Sequence, residues 1–115
     1  MSEQYDVTII GSGPGGYVAA VRCAQLGLKT AIVEKDSRLG GTCLLRGCIP
    51  TKALLESAHL YDKMREASKF GIKASGVELD FKGVQQFRDK TVGTNSKGVT
   101  FLMRKNKVEV VSGHG

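Results

Sequence analysis

The run GSGPGG at residues 11–16 sets Gly11, Gly13 and Gly16 in the spacing GxGxxG. No other feature limits the fold of this chain so tightly. Ahead of it stands a short apolar run, Tyr5 to Ile10, suited to a strand buried on both faces. Behind it, Tyr17 to Leu26 places Val18, Val21, Ala24 and further small residues at helical spacing, and Gly27 ends that helix. Lys29 to Glu34 is a second strand built around Ala31, Ile32 and Val33. The right-handed crossover rule makes the two strands parallel. The expected fold class is therefore α/β, a Rossmann-like βαβ unit on a parallel sheet.

Three glycines alone are a weak signal. Here they follow a strand, open a helix, and are answered by Glu34 at the end of the next strand. In that setting Gly11 permits the tight turn, Gly13 lets a pyrophosphate approach the backbone, and Gly16 lets the helix pack on the strand. The helix start adds free N–H groups and a partial positive charge for phosphates. Glu34 is expected to accept hydrogen bonds from ribose hydroxyls. The turn reads as a dinucleotide site, and NAD and FAD share the AMP half that such a unit grips.

The second motif is GGTCLLRGCIPTK, Gly40 to Lys52, which holds Cys43 and Cys48 five positions apart. In a regular helix that spacing is about 7.5 Å along the axis. A disulfide wants Cα atoms roughly 4.4 to 6.8 Å apart, so a bridge requires distorted backbone. Gly47 and Pro50 supply that latitude. So short a loop gains little from cross-linking, which leaves a purely structural bridge poorly motivated. A redox pair is the better reading, with coincidental thiols the alternative. Arg46 and the positive end of the following helix could lower a thiol pKa. The third cysteine, Cys23, reads as a small buried apolar group.

Further along, a helical stretch from about Thr42 to Ser68 is expected to break at Pro50. Leu54, Leu55, Ala58, Tyr61 and Met64 then form one apolar stripe. Phe70 to Glu78 is irregular, with room for a short strand. Asp80 suits the N-cap of a helix over Phe81 to Lys105, with Val84, Phe87, Val99 and Leu102 inward and Gly93 and Gly98 as weak points. Val108 to Ser112 is the last strand.

Length and composition narrow the function classes. A chain of 115 residues is about one small domain, expected to bury roughly two-thirds of its unfolded surface, and excludes a complete large multidomain enzyme. No run approaches the roughly 20 apolar residues of a membrane helix, and MSEQYDVTII lacks the basic start of a secretory signal. Seventeen basic residues face eleven acidic ones, and the excess lies in the second half. These charges are scattered and carry no interleaved aromatics, so they read as solvated faces and not as a nucleic-acid surface. Without a CxxC pair, and with His59 and His114 far apart, no metal site is expected.

GSGPGGYVAA followed by GGTCLLRGCIPTKALL resembles the FAD-dependent pyridine nucleotide–disulfide oxidoreductases, along all 115 residues. Ile49 in CIPTK is closer to the branch that oxidises dihydrolipoyl groups than to the glutathione or mercuric reductase type. The resemblance implies FAD as cofactor, held by Gly11, Gly13 and Gly16 at the pyrophosphate and Glu34 at the adenosine ribose. It implies Gly40, Gly41 and Thr42 along the phosphate and flavin channel, Lys52 near flavin N5, and backbone at Gly115 beside the adenine, with His114 incidental. It implies Cys43 and Cys48 as the redox-active disulfide, Cys43 exchanging with the dithiol substrate and Cys48 facing the flavin. The implied partners are NAD as co-substrate, dihydrolipoyl groups of 2-oxoacid dehydrogenase complexes, and a second copy in a homodimer, in bacterial cytoplasm or mitochondrial matrix. Residues 1–115 are then expected to be the N-terminal part of a FAD-binding domain, lacking the NAD-binding and dimerisation domains and inactive alone.

Overall fold

A computed structural model describes residues 3–115. Its elements run β1 (Val7–Ile10), α1 (Pro14–Gln25), β2 (Thr30–Glu34), α2 (Gly41–Arg46), α3 (Cys48–Arg65), a 3₁₀ turn (Ala67–Phe70), α4 (Phe81–Lys105) and β3 (Glu109–Ser112). The three strands form one parallel sheet in the order β1-β2-β3, with Ile9 beside Ile32 and Ile32 beside Val110. This is the Rossmann-like α/β unit that the glycine turn and its flanking strands predict.

Helix α1 starts at Pro14, three residues before the apolar periodicity begins, because proline suits the first helical position. It ends where expected, with Gly27 at φ +84° and the Leu28 N–H donating to the Cys23 carbonyl. The core gathers Ala20, Ile32, Leu39, Leu44, Val92, Val99, Met103 and Val108, with Ile9, Tyr17, Val21 and Ala24 packed against it. Val18 stays outside, 57% exposed, and Cys23 is a half-buried free thiol.

Three expectations are corrected. The first strand is not buried on both faces: Ile10 is 71% exposed. Strand order follows chain order, so two successive right-handed crossovers carry α1 and α4 to the same side of the sheet. The opposite side is bare, and only the central strand β2 is largely buried. Next, the break in the second helical stretch falls at Gly47 and not at Pro50. Pro50 lies in the first turn of α3, where its missing N–H has no intrahelical partner to lose. Finally, 72–80 contains no strand.

Helix α4 has the predicted bounds and runs through Gly93 and Gly98 unbroken. Asp80 occupies its N-cap without a side-chain hydrogen bond. Its buried face is Val92, Ser96, Val99 and Met103, whereas Phe87 and Leu102 are 46% and 36% exposed. The first turns of α4 lie along the outer half of α3 and form an arm with it. Leu54, Ala58 and Tyr61 of α3 face Phe81 and Val84 of α4 across an open groove, while Leu55 and Met64 of the expected stripe are exposed.

Candidate functional site

The C-terminal ends of all three strands meet the starts of α1 and α2, which is where an open parallel sheet offers a binding crevice. The turn after β1 is tied down from both sides. Gly11 has φ +90°, and its N–H donates to the Val33 carbonyl at 2.8 Å. Gly16 lies so close to the strand that a Cβ there would fall on the Gly11 carbonyl oxygen, 3.5 Å from Ile9 Cγ2. Gly13 is the N-cap of α1 and faces open space. No side chain caps the helix, so its first-turn amides are left for an outside acceptor.

A second glycine pair completes the bed. Gly40 and Gly41 both have positive φ, +131° and +67°, and a Cβ on Gly41 would stand 2.5 Å from Gly13 Cα. The start of α2 thus crosses the phosphate-type turn backbone on backbone. This contact brings the two motifs, far apart in sequence, into one site. Gly11, Ser12, Gly13, Glu34, Gly41 and Thr42 line a cleft of about 440 Å³, with Lys35, Asp36 and Arg46 at its rim.

Glu34 is the polar centre of the cleft and is 7% exposed. Its Oε2 accepts from the Ser12 N–H at 2.8 Å and from the Ser12 hydroxyl, and its Oε1 accepts from the Asp36 N–H at 2.9 Å. Burial pushes the carboxyl upward, but the Asp36 amide and the Ser12 hydroxyl and amide outweigh it and hold Glu34 below the usual carboxylate range. The backbone carbonyl of Glu34 also accepts from Gly113 N–H at 2.9 Å. Gly115 lies against Ile10 and lines, with His114, Gly113 and Val33, a smaller cleft of about 200 Å³ beside Glu34.

Cys43 and Cys48 are joined as a disulfide with Cα atoms 4.7 Å apart. The distortion that the spacing demands is supplied at Gly47, which ends α2 and precedes α3. Cys48 is the first residue of α3 and exposed; Cys43 lies inside α2 and is half-buried. Lys52, one turn after Cys48, is exposed on α3. Arg46, between the two cysteines, carries an ion pair. Its Nη1 binds Asp36 Oδ2 at 2.8 Å, which lowers the Asp36 pKa and raises that of Arg46.

Two buried serines escape sequence reasoning. Ser12, 0% exposed, bridges Glu34 and the Gly40 N–H, and Ser96 of α4 donates to the Leu39 carbonyl at 2.6 Å. Ser12 occupies an unrestricted position of GxGxxG, and Ser96 interrupts an apolar face, so no motif marks either.

A family described as pyridine nucleotide-disulphide oxidoreductase matches residues 5–115. The chain belongs to this family. Within it, the chain is 56% identical over 115 residues to the dihydrolipoyl dehydrogenase of Bacillus subtilis (strain 168), covering all of this chain and 24% of that protein. It is 51% identical to the mitochondrial dihydrolipoyl dehydrogenase of Dictyostelium discoideum, covering 99% of this chain and 24% of the relative. Leghemoglobin reductase of Vigna unguiculata matches at 51%, over 99% of the chain and 22% of its own length. The chain thus spans about a quarter of the length of these family members. No helix among the described residues is long and apolar enough to cross a membrane.

Proposed function

We propose that this chain is the FAD-binding, redox-disulfide part of a dihydrolipoyl dehydrogenase, with residues 1–115 forming the N-terminal part of its FAD-binding domain. One observation carries the reading: the loop that leads into the Cys43–Cys48 disulfide packs directly on the glycine turn, through Gly41 and Gly13. The residues present suit the cofactor. Gly13 and the uncapped start of α1 offer bare backbone to a pyrophosphate, Gly11 and Gly16 shape the turn, and Glu34 offers an ionised acceptor to a ribose. Gly41 and Thr42 continue the bed toward Cys43, Lys52 stands one turn beyond Cys48, and Gly115 closes the end beside Ile10. When bound, FAD supplies two-electron exchange with a dithiol.

The chemistry of the chain's own residues is thiol–disulfide exchange. A thiolate of a dihydrolipoyl group attacks Cys43 Sγ, the Cys43–Cys48 bond breaks, and Cys48 leaves as a thiolate. The second substrate thiol then attacks the mixed disulfide and releases Cys43. The substrate loses two electrons and two protons as its disulfide forms; the cysteine pair gains the electrons, one proton ends on Cys43 as its thiol, and the other passes to solvent while Cys48 stays a thiolate. Cys48 is suited to be the leaving group, because the first position of an 18-residue helix stabilises negative charge. NAD as co-substrate, 2-oxoacid dehydrogenase complexes as partners, and a homodimer belong to the same proposal, as does a compartment in bacterial cytoplasm or mitochondrial matrix. The names of the relatives favour the dihydrolipoyl substrate over the glutathione or mercuric type.

An anaerobic half-reaction tests the reading. Before addition the chain shows one free thiol, Cys23, among its three cysteines. In the presence of FAD, one equivalent of dihydrolipoamide is expected to expose two more and to change the flavin spectrum. Thiols appearing beside an unchanged flavin spectrum would contradict the proposal. In an NADH-linked lipoamide assay the 115-residue chain is expected to show no steady turnover.

A further inference from the structure

Resting on the flavin reading for its ligand, we propose that Ser12 is a positioning residue whose hydroxyl fixes the Glu34 carboxylate and the start of the disulfide-bearing loop relative to one another. Ser12 is wholly buried. Its hydroxyl donates to Glu34 Oε2 and accepts from the Gly40 N–H at 3.1 Å, while its own amide holds the same carboxylate oxygen at 2.8 Å. Gly40 stands three residues before Cys43, and the adjoining Leu39 carbonyl is held separately by Ser96.

One oxygen atom thus joins three segments: the glycine turn, the end of β2 and the entry to α2. A hydroxyl can do this because it donates once and accepts as well. Both of its partners are buried, so removing it leaves the Gly40 N–H without an acceptor and Glu34 Oε2 short of a donor, and such losses exceed the worth of an ordinary exposed bond. A diol acceptor must present its oxygens in one orientation to bind well, and Ser12 supplies that orientation before any ligand arrives.

Three variants of the chain separate positioning from loss of stability: Ser12→Ala, Ser12→Thr, and Ser96→Ala, which frees the same loop without touching Glu34. The Glu34 carboxyl is titrated by carbon-13 NMR. Lys35, Asp36 and Arg46 border it on the cleft side and His114 on the β3 side, and all four stay constant across the series. Ser12→Ala is expected to raise the Glu34 midpoint and to speed amide exchange at Gly40 at least tenfold. Ser12→Thr, which keeps the hydroxyl, is expected to restore the low midpoint, and Ser96→Ala to leave it in place.

In fluorescence titrations Ser12→Ala is expected to weaken FAD about tenfold, with no matching change for FMN, which lacks the AMP half. Unchanged Glu34 titration and Gly40 exchange in Ser12→Ala would overturn the proposal. So would tighter FAD binding, which would make Ser12 a competitor of the ribose, or an unprotected Gly40 amide in the wild-type chain, a measurement that needs no variant. If the wild-type chain takes up no FAD, the flavin reading fails, while the carboxyl and amide measurements still decide the positioning role.

Discussion

Gly16 and Gly15 are neighbours in one helical turn with opposite roles. A Cβ at Gly16 meets the Gly11 carbonyl, whereas a Cβ at Gly15 meets nothing within 4 Å. Gly16→Ala is therefore expected to destabilise the chain by about 1–3 kcal/mol through overpacking. Gly15→Ala is expected to be neutral or to stabilise by up to about 1 kcal/mol, since alanine loses less entropy in a helix. Urea unfolding of the two variants decides it. Glu34 adds a pH signature. Its folded pKa is depressed, so its contribution is fully present above the unfolded value of roughly 4.3 and is lost as pH falls through the lower folded value. Stability measured from pH 7 downward should thus stay level to about pH 5 and then decline. Glu34→Gln should flatten part of that decline; an identical profile in the variant would contradict the depressed pKa. At this scale the turn at Gly11, Gly13 and Gly16 and the place of Glu34 at the end of β2 were legible, because a motif restricts residue type there. The sequence was silent at Ser12 and Ser96, whose roles depend on partners 22 to 57 positions away.

Helix α4 shows how periodicity locates an element without locating its buried face. Its bounds, Phe81 to Lys105, are those of the apolar pattern, yet Phe87 is 46% exposed and Met103 is 1% exposed. Cover begins only at the middle of the helix, where Val92, Ser96, Val99 and Met103 are buried. Met103→Ala should then cost about 2–5 kcal/mol and Phe87→Ala far less, in thermal or urea unfolding. Equal costs would mean that the arm is packed more tightly than its exposure indicates. The same logic explains Pro50. A proline in a helical pattern signals a boundary, but the pattern alone cannot tell a helix end from the first turn of the next helix. Gly47, placed between the two cysteines, is the actual break.

The whole molecule is extended, 68 × 25 × 17 Å with a radius of gyration of 19.6 Å, against roughly 13 Å for a compact chain of this length. Its accessible surface is 8269 Å², where a compact monomer of this size exposes roughly 6,100 Å². The chain therefore buries nearer half than two-thirds of its unfolded surface, and the earlier expectation from length fails here. Strand identity, parallel pairing and the crossover helix were all readable from spacing and turn residues. What covers each sheet face was not, because an apolar run reads alike whether one or both of its faces are packed. The bare sheet face and the α3–α4 arm leave the proposed binding bed intact, since that bed is built from turns and strand ends. The most direct test is therefore a titration of the chain with FAD, followed by flavin fluorescence, alongside a Gly13→Val variant that places a side chain over the open N-cap. The proposed site predicts a saturable change in the wild-type chain that is lost in the variant; no saturable change, or the same affinity in both, would contradict it.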